Sequence, residues 1–305
     1  MTAQPHRPVL AAIWMLGSIA GFSAIAIAGR EIGSRLDTFE MMLYRSLIGL
    51  LAVATVAVAT GRSAVMAPRH LRLHLFRNLL HFAGQNLWLY ALALIPLAQL
   101  FALEFSAPVM VALAAPFVLK ERLTPSRAVS AVVGFAGVLV VARPSSLGAI
   151  TPGLAAALLS AVAFAATALA TKRLTGLTPV FAILFWLVAM QTGLGLLCAG
   201  WDGDITLPDR HTLPWVIVLG FAGLLAHLGL TKALSLAAAA VVTPLDFMRL
   251  PLIALVGMAL YGEPLDPFVL VGGAVIFAAN WINIRAETKF RSVTNLSHDR
   301  QTADP

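Results

Sequence analysis

The chain has 305 residues, of which 59% are hydrophobic and only 11% charged, whereas a soluble domain carries about 25% charged residues. So few charges cannot solvate a globular surface, which excludes a soluble globular protein and indicates a polytopic membrane protein. The net charge of +7 is spread between apolar runs without forming a basic stripe, which argues against nucleic acid as a partner.

Ten apolar segments approach or reach the roughly 20 residues that a helix needs to cross a bilayer. In chain order the predicted spans are 8–29, 38–60, 75–95, 98–119, 127–142, 153–171, 178–199, 213–234, 239–261 and 268–285. The first is interpreted as an uncleaved helix and not as a signal peptide, because it is long enough to span the membrane and few basic residues precede it. The polar tail, 286–305, is predicted to be disordered.

The distribution of Lys and Arg predicts the orientation of these spans. Fourteen of them fall on the side of the N-terminus and four in the opposite loops, Arg30, Arg35, Arg143 and Arg210. Because cytoplasmic loops carry the excess of positive charge, we predict a protein of the bacterial inner membrane with both termini in the cytoplasm.

The sequence matches itself when it is shifted by 142 positions. "LEF" at 103–105 then falls on "LDF" at 245–247, so that Glu104 aligns with Asp246, and "KERLTP" at 120–125 falls on "GEPLDP" at 262–267. Chance agreement between two Ala- and Leu-rich stretches would not align rare acidic residues at one offset. We therefore predict two five-helix repeats, at 8–143 and 153–285.

Five spans are an odd number, so the second repeat enters the membrane from the opposite side. Inverted repeats are typical of secondary transporters, whose substrate site lies near the membrane midplane where the repeats meet. The predicted fold is thus all-α and integral to the membrane, with ten transmembrane helices in two inverted repeats.

Two stretches, "LKERLTP…VVGFAGVLVVARP" and "YGEPLDP…LVGGAVIFAANWIN", resemble the drug/metabolite transporter superfamily, of the EamA type. "HFAGQNLWLYALALIPLAQLFALEFSAPV" and "VTPLDFMRLP" resemble a bacterial branch that includes riboflavin importers and S-adenosylmethionine carriers. The resemblance covers about residues 8–285. It departs at Lys120-Glu121, where Gly-Glu is commoner in the family.

Five ionisable side chains fall inside the predicted spans: Arg45, Glu104, Lys232, Asp246 and Arg249. Each charge costs about 2.5–3.5 kcal/mol at the centre of a span, so these groups must pair, face a wet cavity or change protonation state. Asp246 and Arg249 are three residues apart and can pair on one helix. For Glu104 we expect Arg45 or Lys232 as the partner, although Lys232 can also extend to the cytoplasmic interface.

The third span carries His81, Gln85 and Trp88 at helical spacing, on one polar and aromatic face. Gln85 aligns with His227 in the repeat. With the five ionisable groups, these residues are the candidates for substrate binding or proton coupling. The alternative is structural: ion pairs that fix helix register and hydrogen bonds between helices.

The function that these features favour is secondary transport of a small polar metabolite by alternating access, with the two repeats rocking about a central site. No nucleotide-binding loop is present. Riboflavin uptake is the preferred hypothesis, because amides and aromatic rings suit a planar, hydrogen-bonding molecule. An exporter of amino acids or drug-like metabolites and an S-adenosylmethionine carrier remain alternatives.

Two other classes fit less well. A membrane-embedded enzyme would need a catalytic or metal motif, and Asp202, Asp204 and Asp209 beside His211 match none. The single cysteine, Cys198, excludes an intrachain disulfide and a cysteine-based metal site within one chain. A scaffold would have no need of matched buried charges.

We expect no cofactor, a small-molecule substrate and a lipid bilayer as partners, and leave a homodimer open.

Overall fold

The computed structural model of the protein describes residues 8–61, 66–119, 125–142, 150–236, 245–246, 248–282 and 285, and all regular structure within them is helical. The predicted disordered tail lies outside these residues. The helices are α1 (Pro8–Ile32), α2 (Thr38–Ala59), α3 (Leu71–Leu94), α4 (Leu97–Glu104), α5 (Ala107–Leu119), α6 (Pro125–Ala142), α7 (Pro152–Thr175), α8 (Val180–Ala199), α9 (Leu213–Leu236), α10 (Arg249–Tyr261) and α11 (Pro267–Ile282).

The boundaries of these helices repeat at the offset of 142 residues that the sequence predicts. Thr38 and Val180 begin α2 and α8, and Pro125 and Pro267 begin α6 and α11. Two pairs agree at both ends: α3 with α9, and α5 with α10. The duplicated helical architecture is therefore confirmed.

Among the described residues, five helices are long and apolar enough to cross a membrane: α1, α2, α7, α8 and the first eighteen residues of α9. The apolar segments in α4–α5, α6, α10 and α11 are shorter. In α3, Arg77, His81 and Gln85 interrupt the apolar surface. The chain is a multi-pass membrane protein.

The two repeats interlock. The most extensive helix contacts join α1 to α9 and α3 to α7, so each of these helices packs against the other repeat. Small residues permit the close approach, since a Cβ on Gly21 would lie 2.8 Å from the backbone N of Ala226, and one on Gly84 would lie 3.0 Å from Cβ of Ala163. Gly21 aligns with Ala163 and Gly84 with Ala226, so the two crossings are copies of each other.

One predicted span is interrupted. The expected helix 98–119 is two helices, α4 and α5, separated at Phe105 and Ser106. The physical reason is Pro108, which has no N–H to donate and whose ring collides with the carbonyl four residues earlier. The break leaves the Phe105 carbonyl to accept from Nδ2 of Asn280 on α11, at 3.1 Å.

The corresponding span of the second repeat has its helix α10 beginning at Arg249, the same repeat position as the start of α5. Residues 237–244 and 247, in the first part of the predicted span 239–261, lie outside the described residues. The helix start at Arg249 follows Asp246 by three residues, which places both side chains beside the break in the first repeat.

Several connections that the sequence assigns to one side of the membrane meet at one end of the fold. Arg30, at the end of α1, pairs with Glu263 and donates to the Ile95 carbonyl at 2.7 Å. Arg35 pairs with Asp209 at 2.7 Å. These contacts join the loops that follow α1, α3, α8 and α10, as the predicted topology requires.

Candidate functional site

Two carboxylates, one from each repeat, meet a single guanidinium inside the protein. Nη2 of Arg249 lies 3.3 Å from Oε1 of Glu104 and 3.3 Å from Oδ2 of Asp246. Nε1 of Trp88 donates to Oε2 of Glu104 at 2.8 Å. We call these four residues the Arg249 cluster.

Aromatic rings surround the guanidinium of this cluster. Its Cζ lies 4.5 Å from the ring centroid of Phe22, 5.2 Å from that of Phe101 and 5.0 Å from that of Phe105. The Arg249 side chain is only 4% exposed. Phenyl faces attract a cation, and the attraction strengthens where water is excluded, so the rings hold Arg249 between the two acids.

The expected partner of Glu104 was wrong. The sequence predicts Arg45 or Lys232, whereas Arg249 occupies that place, because the broken fourth span brings α4 against α10. The predicted pairing of Asp246 with Arg249 is confirmed. Lys232 is exposed on α9 and belongs to neither the Arg249 cluster nor the cavity described next.

A cavity of about 250 Å³ lies between α2, α8 and α9, with His81 of α3 at its wall. Its lining is mostly apolar, with five polar side chains: Arg45, Ser46, His81, Gln191 and His227. The volume lies just below the range of small-molecule sites, about 300–1,000 Å³, and a mostly apolar wall with a few polar groups is typical of such sites.

Arg45 is the charged residue of this cavity. Its Nη1 donates to Oε1 of Gln85 and lies 3.7 Å from the sulfur of Met42. Within the described part of the chain, Arg45 has no carboxylate partner. Gly223 leaves room for the guanidinium, because a Cβ there would lie 2.8 Å from Nε of Arg45.

Two histidines lie beside Arg45. The rings of His81 and His227 are 6.2 Å apart, edge to face. Phe164 lies 6.0 Å from His81, and Phe22 lies 5.7 Å from His227. Phe22 also packs on Arg249, so one ring contacts both a cavity histidine and the Arg249 cluster.

A polar network fixes the wall behind the cavity. Nε2 of Gln191 donates to the Asn78 carbonyl at 2.9 Å, and Nδ2 of Asn78 reaches the Trp186 carbonyl at 3.3 Å. Arg77 donates from Nη1 to Oδ1 of Asn78 at 3.1 Å and from Nε to Oγ1 of Thr171 at 2.9 Å. These bonds tie α3 to α7 and α8.

The structure divides the predicted polar face of α3 between two places. His81 and Gln85 serve the cavity, and Trp88 serves the Arg249 cluster. Phe22 and Gln191 were not among the leading candidates for the site in the sequence analysis. The offset of 142 residues could have pointed to Phe22, because it aligns Phe22 with Phe164. In the structure each of these rings packs against a cavity histidine.

The acidic loop before α9 has a structural role. Asp209 accepts from the backbone N–H groups of Thr212 and His211, each at 2.8 Å. Hydrogen bonds from the backbone of Thr212 and then of His211 lower the pKa of the Asp209 carboxyl to about 2. In the described residues, no group of three or more His, Cys, Asp or Glu side chains could hold a metal ion.

Known proteins share this architecture. The chain is 30% identical over 299 residues to a riboflavin transporter of Rhizobium johnstonii, covering 95% of both chains. It is 26% identical to an S-adenosylmethionine uptake transporter of Rickettsia bellii, covering 92% and 94%. One solved crystal structure superposes with a TM-score of 0.64 at 20% identity, over 92% of this chain and 98% of the other, which shows a common fold.

The model of the EamA-like transporter family matches the chain twice, at residues 9–143 and 151–285. The two matches are themselves 142 residues apart, the offset at which the helix boundaries repeat. Together the matches cover most of the sequence. The protein belongs to the EamA-like transporter family, within the drug/metabolite transporter superfamily.

Proposed function

We propose that this transporter takes up riboflavin across the bacterial inner membrane and binds it in the Arg45 cavity. The observation that carries the proposal is Arg45 itself, a guanidinium in a mostly apolar cavity with no carboxylate partner among the described residues. Such a group favours a ligand that is rich in hydrogen-bond acceptors. A flavin ring offers carbonyl oxygens and ring nitrogens on a planar, apolar body.

The same charge distribution argues against S-adenosylmethionine, although some relatives carry that name. Its carboxylate would pair with Arg45, but none of the described residues that line the cavity is acidic, so nothing there would balance its cationic sulfonium centre. The acids that could attract it, Glu104 and Asp246, are already held by Arg249. The riboflavin relative named above also covers slightly more of the chain.

The Arg249 cluster is the part of the molecule suited to energy coupling. If both acids were ionised, it would hold two negative charges and one positive, and an unbalanced charge at membrane depth is costly. We propose that one proton shared by Glu104 and Asp246 balances the cluster and moves with the substrate. Phe22 would transmit occupancy, because it contacts both His227 and Arg249.

The interlocking of the repeats changes the expected motion. Because α1 packs along α9 and α3 along α7, rocking the repeats as separate bodies would break the largest interfaces. We propose instead that each moving body contains helices of both repeats, 8–143 and 153–285. Both termini would face the cytoplasm.

Growth of a riboflavin auxotroph that lacks its own uptake system tests the proposal. Expression of the chain should restore growth at low riboflavin, whereas Arg45→Gln should not. Purified protein in liposomes should then accumulate labelled riboflavin, and excess S-adenosylmethionine should not compete. Failure of rescue despite membrane expression, or export of riboflavin from loaded cells, would reject uptake of this vitamin.

A further inference from the structure

We infer that the Arg45 cavity recognises one edge of its ligand, an edge on which a hydrogen-bond acceptor stands beside an N–H donor. The imide edges of flavins, pteridines and pyrimidines have this pattern. The inference rests on the proposed function in one respect, that the cavity is the substrate site. It adds the group by which the substrate is selected and names Gln191 as the selecting residue.

The acceptor of the site is Oε1 of Gln191. This side chain lines the cavity and is only 2% exposed. Its Nε2 is engaged by the Asn78 carbonyl, which fixes the orientation of the amide. Oε1 is buried and has no hydrogen-bond partner among the described residues. A buried acceptor without a donor is unfavourable, and an N–H group on the ligand would satisfy it after a small movement of the wall that covers Oε1.

The donor of the site is the guanidinium of Arg45. Five N–H groups lie in its plane, and Gln85 accepts from Nη1. The other N–H groups can donate to a ligand carbonyl on either side of the ligand N–H. Arg45 lies on α2 and Gln191 on α8, two helices that pack along each other beside the cavity.

The polar wall also breaks the repeat symmetry. Arg45 aligns with Leu187, and Gln191 aligns with Gly49. His81 aligns with Gly223. The Arg249 cluster, in contrast, has an acid from each repeat. Because these polar positions have apolar counterparts in the other repeat, the cavity lacks two-fold symmetry and would hold a flat ligand in one orientation, as a specificity-determining surface requires.

The test compares transport of riboflavin with that of 3-methylriboflavin, in which a methyl group replaces the hydrogen of the imide N–H. In the wild-type chain the methylated analogue should bind about tenfold more weakly, the effect expected for one buried hydrogen bond. In Gln191→Leu, riboflavin should fall to the level of the analogue, so that the discrimination disappears. A purely structural role of Gln191 would weaken both compounds equally and leave their ratio unchanged.

Gln99→Leu is the matched control, because Gln99 is a membrane-helix amide that donates to the Val141 carbonyl and does not line the cavity. It should keep the wild-type ratio. Transport of riboflavin with equal transport of the analogue by the wild type would leave the proposed function standing and overturn the inference.

If neither flavin is carried, the riboflavin proposal falls, and a thermal-stabilisation screen of pteridines and pyrimidines decides the inference. A ligand whose stabilising effect is lost on N-methylation and in Gln191→Leu would support it. The absence of any such ligand would refute it.

Discussion

Glu104 and Asp246 are 142 positions apart in the sequence, and both carboxylates lie 3.3 Å from the same guanidinium nitrogen of Arg249. The duplication explains the pair, because each repeat supplies one acid at the same position of its fourth span. It does not supply a second cation, since the residue that aligns with Arg249 is Ala107. The cluster therefore has an excess of acid that a proton can balance.

The first prediction concerns coupling. In liposomes with an inward proton gradient, the wild-type chain should concentrate riboflavin about tenfold per pH unit for each coupled proton. Glu104→Gln and Asp246→Asn should each reduce accumulation to the equilibrium level, because the shared proton site is lost. Exchange of labelled for unlabelled riboflavin, which needs no net proton movement, should persist. Unchanged accumulation in both variants would refute a coupling role.

Asp209 provides the control for pH dependence. Its pKa of about 2 is depressed below the usual value of about 3.9, so its stabilising contribution is complete above the usual value and is lost only as the pH falls through about 2. Between pH 5 and 8 its charge does not change. Asp209→Asn should therefore leave the pH profile of uptake with its wild-type shape. A changed profile in Asp209→Asn would show that the pH dependence of uptake responds to general damage and not to proton coupling.

The second prediction concerns stability. Arg249→Met should destabilise the protein by about 3–5 kcal/mol, because it leaves two carboxylates buried without their cation. Adding Glu104→Gln and Asp246→Asn to the same chain should recover much of that loss, since no unpaired charge remains. Thermal unfolding in detergent, followed by tryptophan fluorescence, measures both effects. A triple variant no more stable than Arg249→Met would contradict the charge explanation.

The sequence predicted the elements whose signal is local or periodic. The lengths of the apolar segments predicted the membrane spans. The matched acids at 104 and 246 revealed the duplication, because acidic residues are rare in such segments. The pairing of Asp246 with Arg249 followed from their separation of three residues, although α10 begins only at Arg249 and does not include Asp246. The contacts that need two distant helices could not be read in this way. The partner of Glu104 depends on the break at Pro108, and nothing in the spacing of Arg45 or Lys232 tells which helix each one meets.

The cavity was harder still to predict. The cavity exists partly because Gly223 has no side chain, which leaves room for Arg45. Its acceptor, Gln191, aligns with a glycine in the first repeat, so the repeat pattern does not mark it. A search for matched residues finds what the repeats share. Here Arg45, His81 and Gln191 have no polar counterpart in the other repeat, so symmetry pointed to the Arg249 cluster and, in the cavity, to His227 alone, which aligns with Gln85.

The third prediction follows from Gly223. In Gly223→Ala the new Cβ would meet Nε of Arg45 at 2.8 Å, so the guanidinium must shift while the backbone stays in place. Riboflavin binding should weaken about tenfold, the cost of a displaced charged hydrogen bond, and the melting temperature should change little. Gly193→Ala is the control, because a Cβ there meets nothing within 4 Å. Equal binding by both variants would show that the position of Arg45 does not matter.

The fourth prediction concerns orientation, which the single cysteine makes simple to test. Cys198→Ala gives a background without thiols, and Asp202→Cys and Leu177→Cys then place one thiol in the exposed loop after α8 or after α7. The loop after α7 follows Lys172 and Arg173, so the positive-inside rule places it in the cytoplasm. A membrane-impermeant maleimide added to intact spheroplasts should label the first variant and spare the second until the membrane is opened. The reverse pattern would invert the topology and, with it, the direction in which a proton gradient could drive uptake.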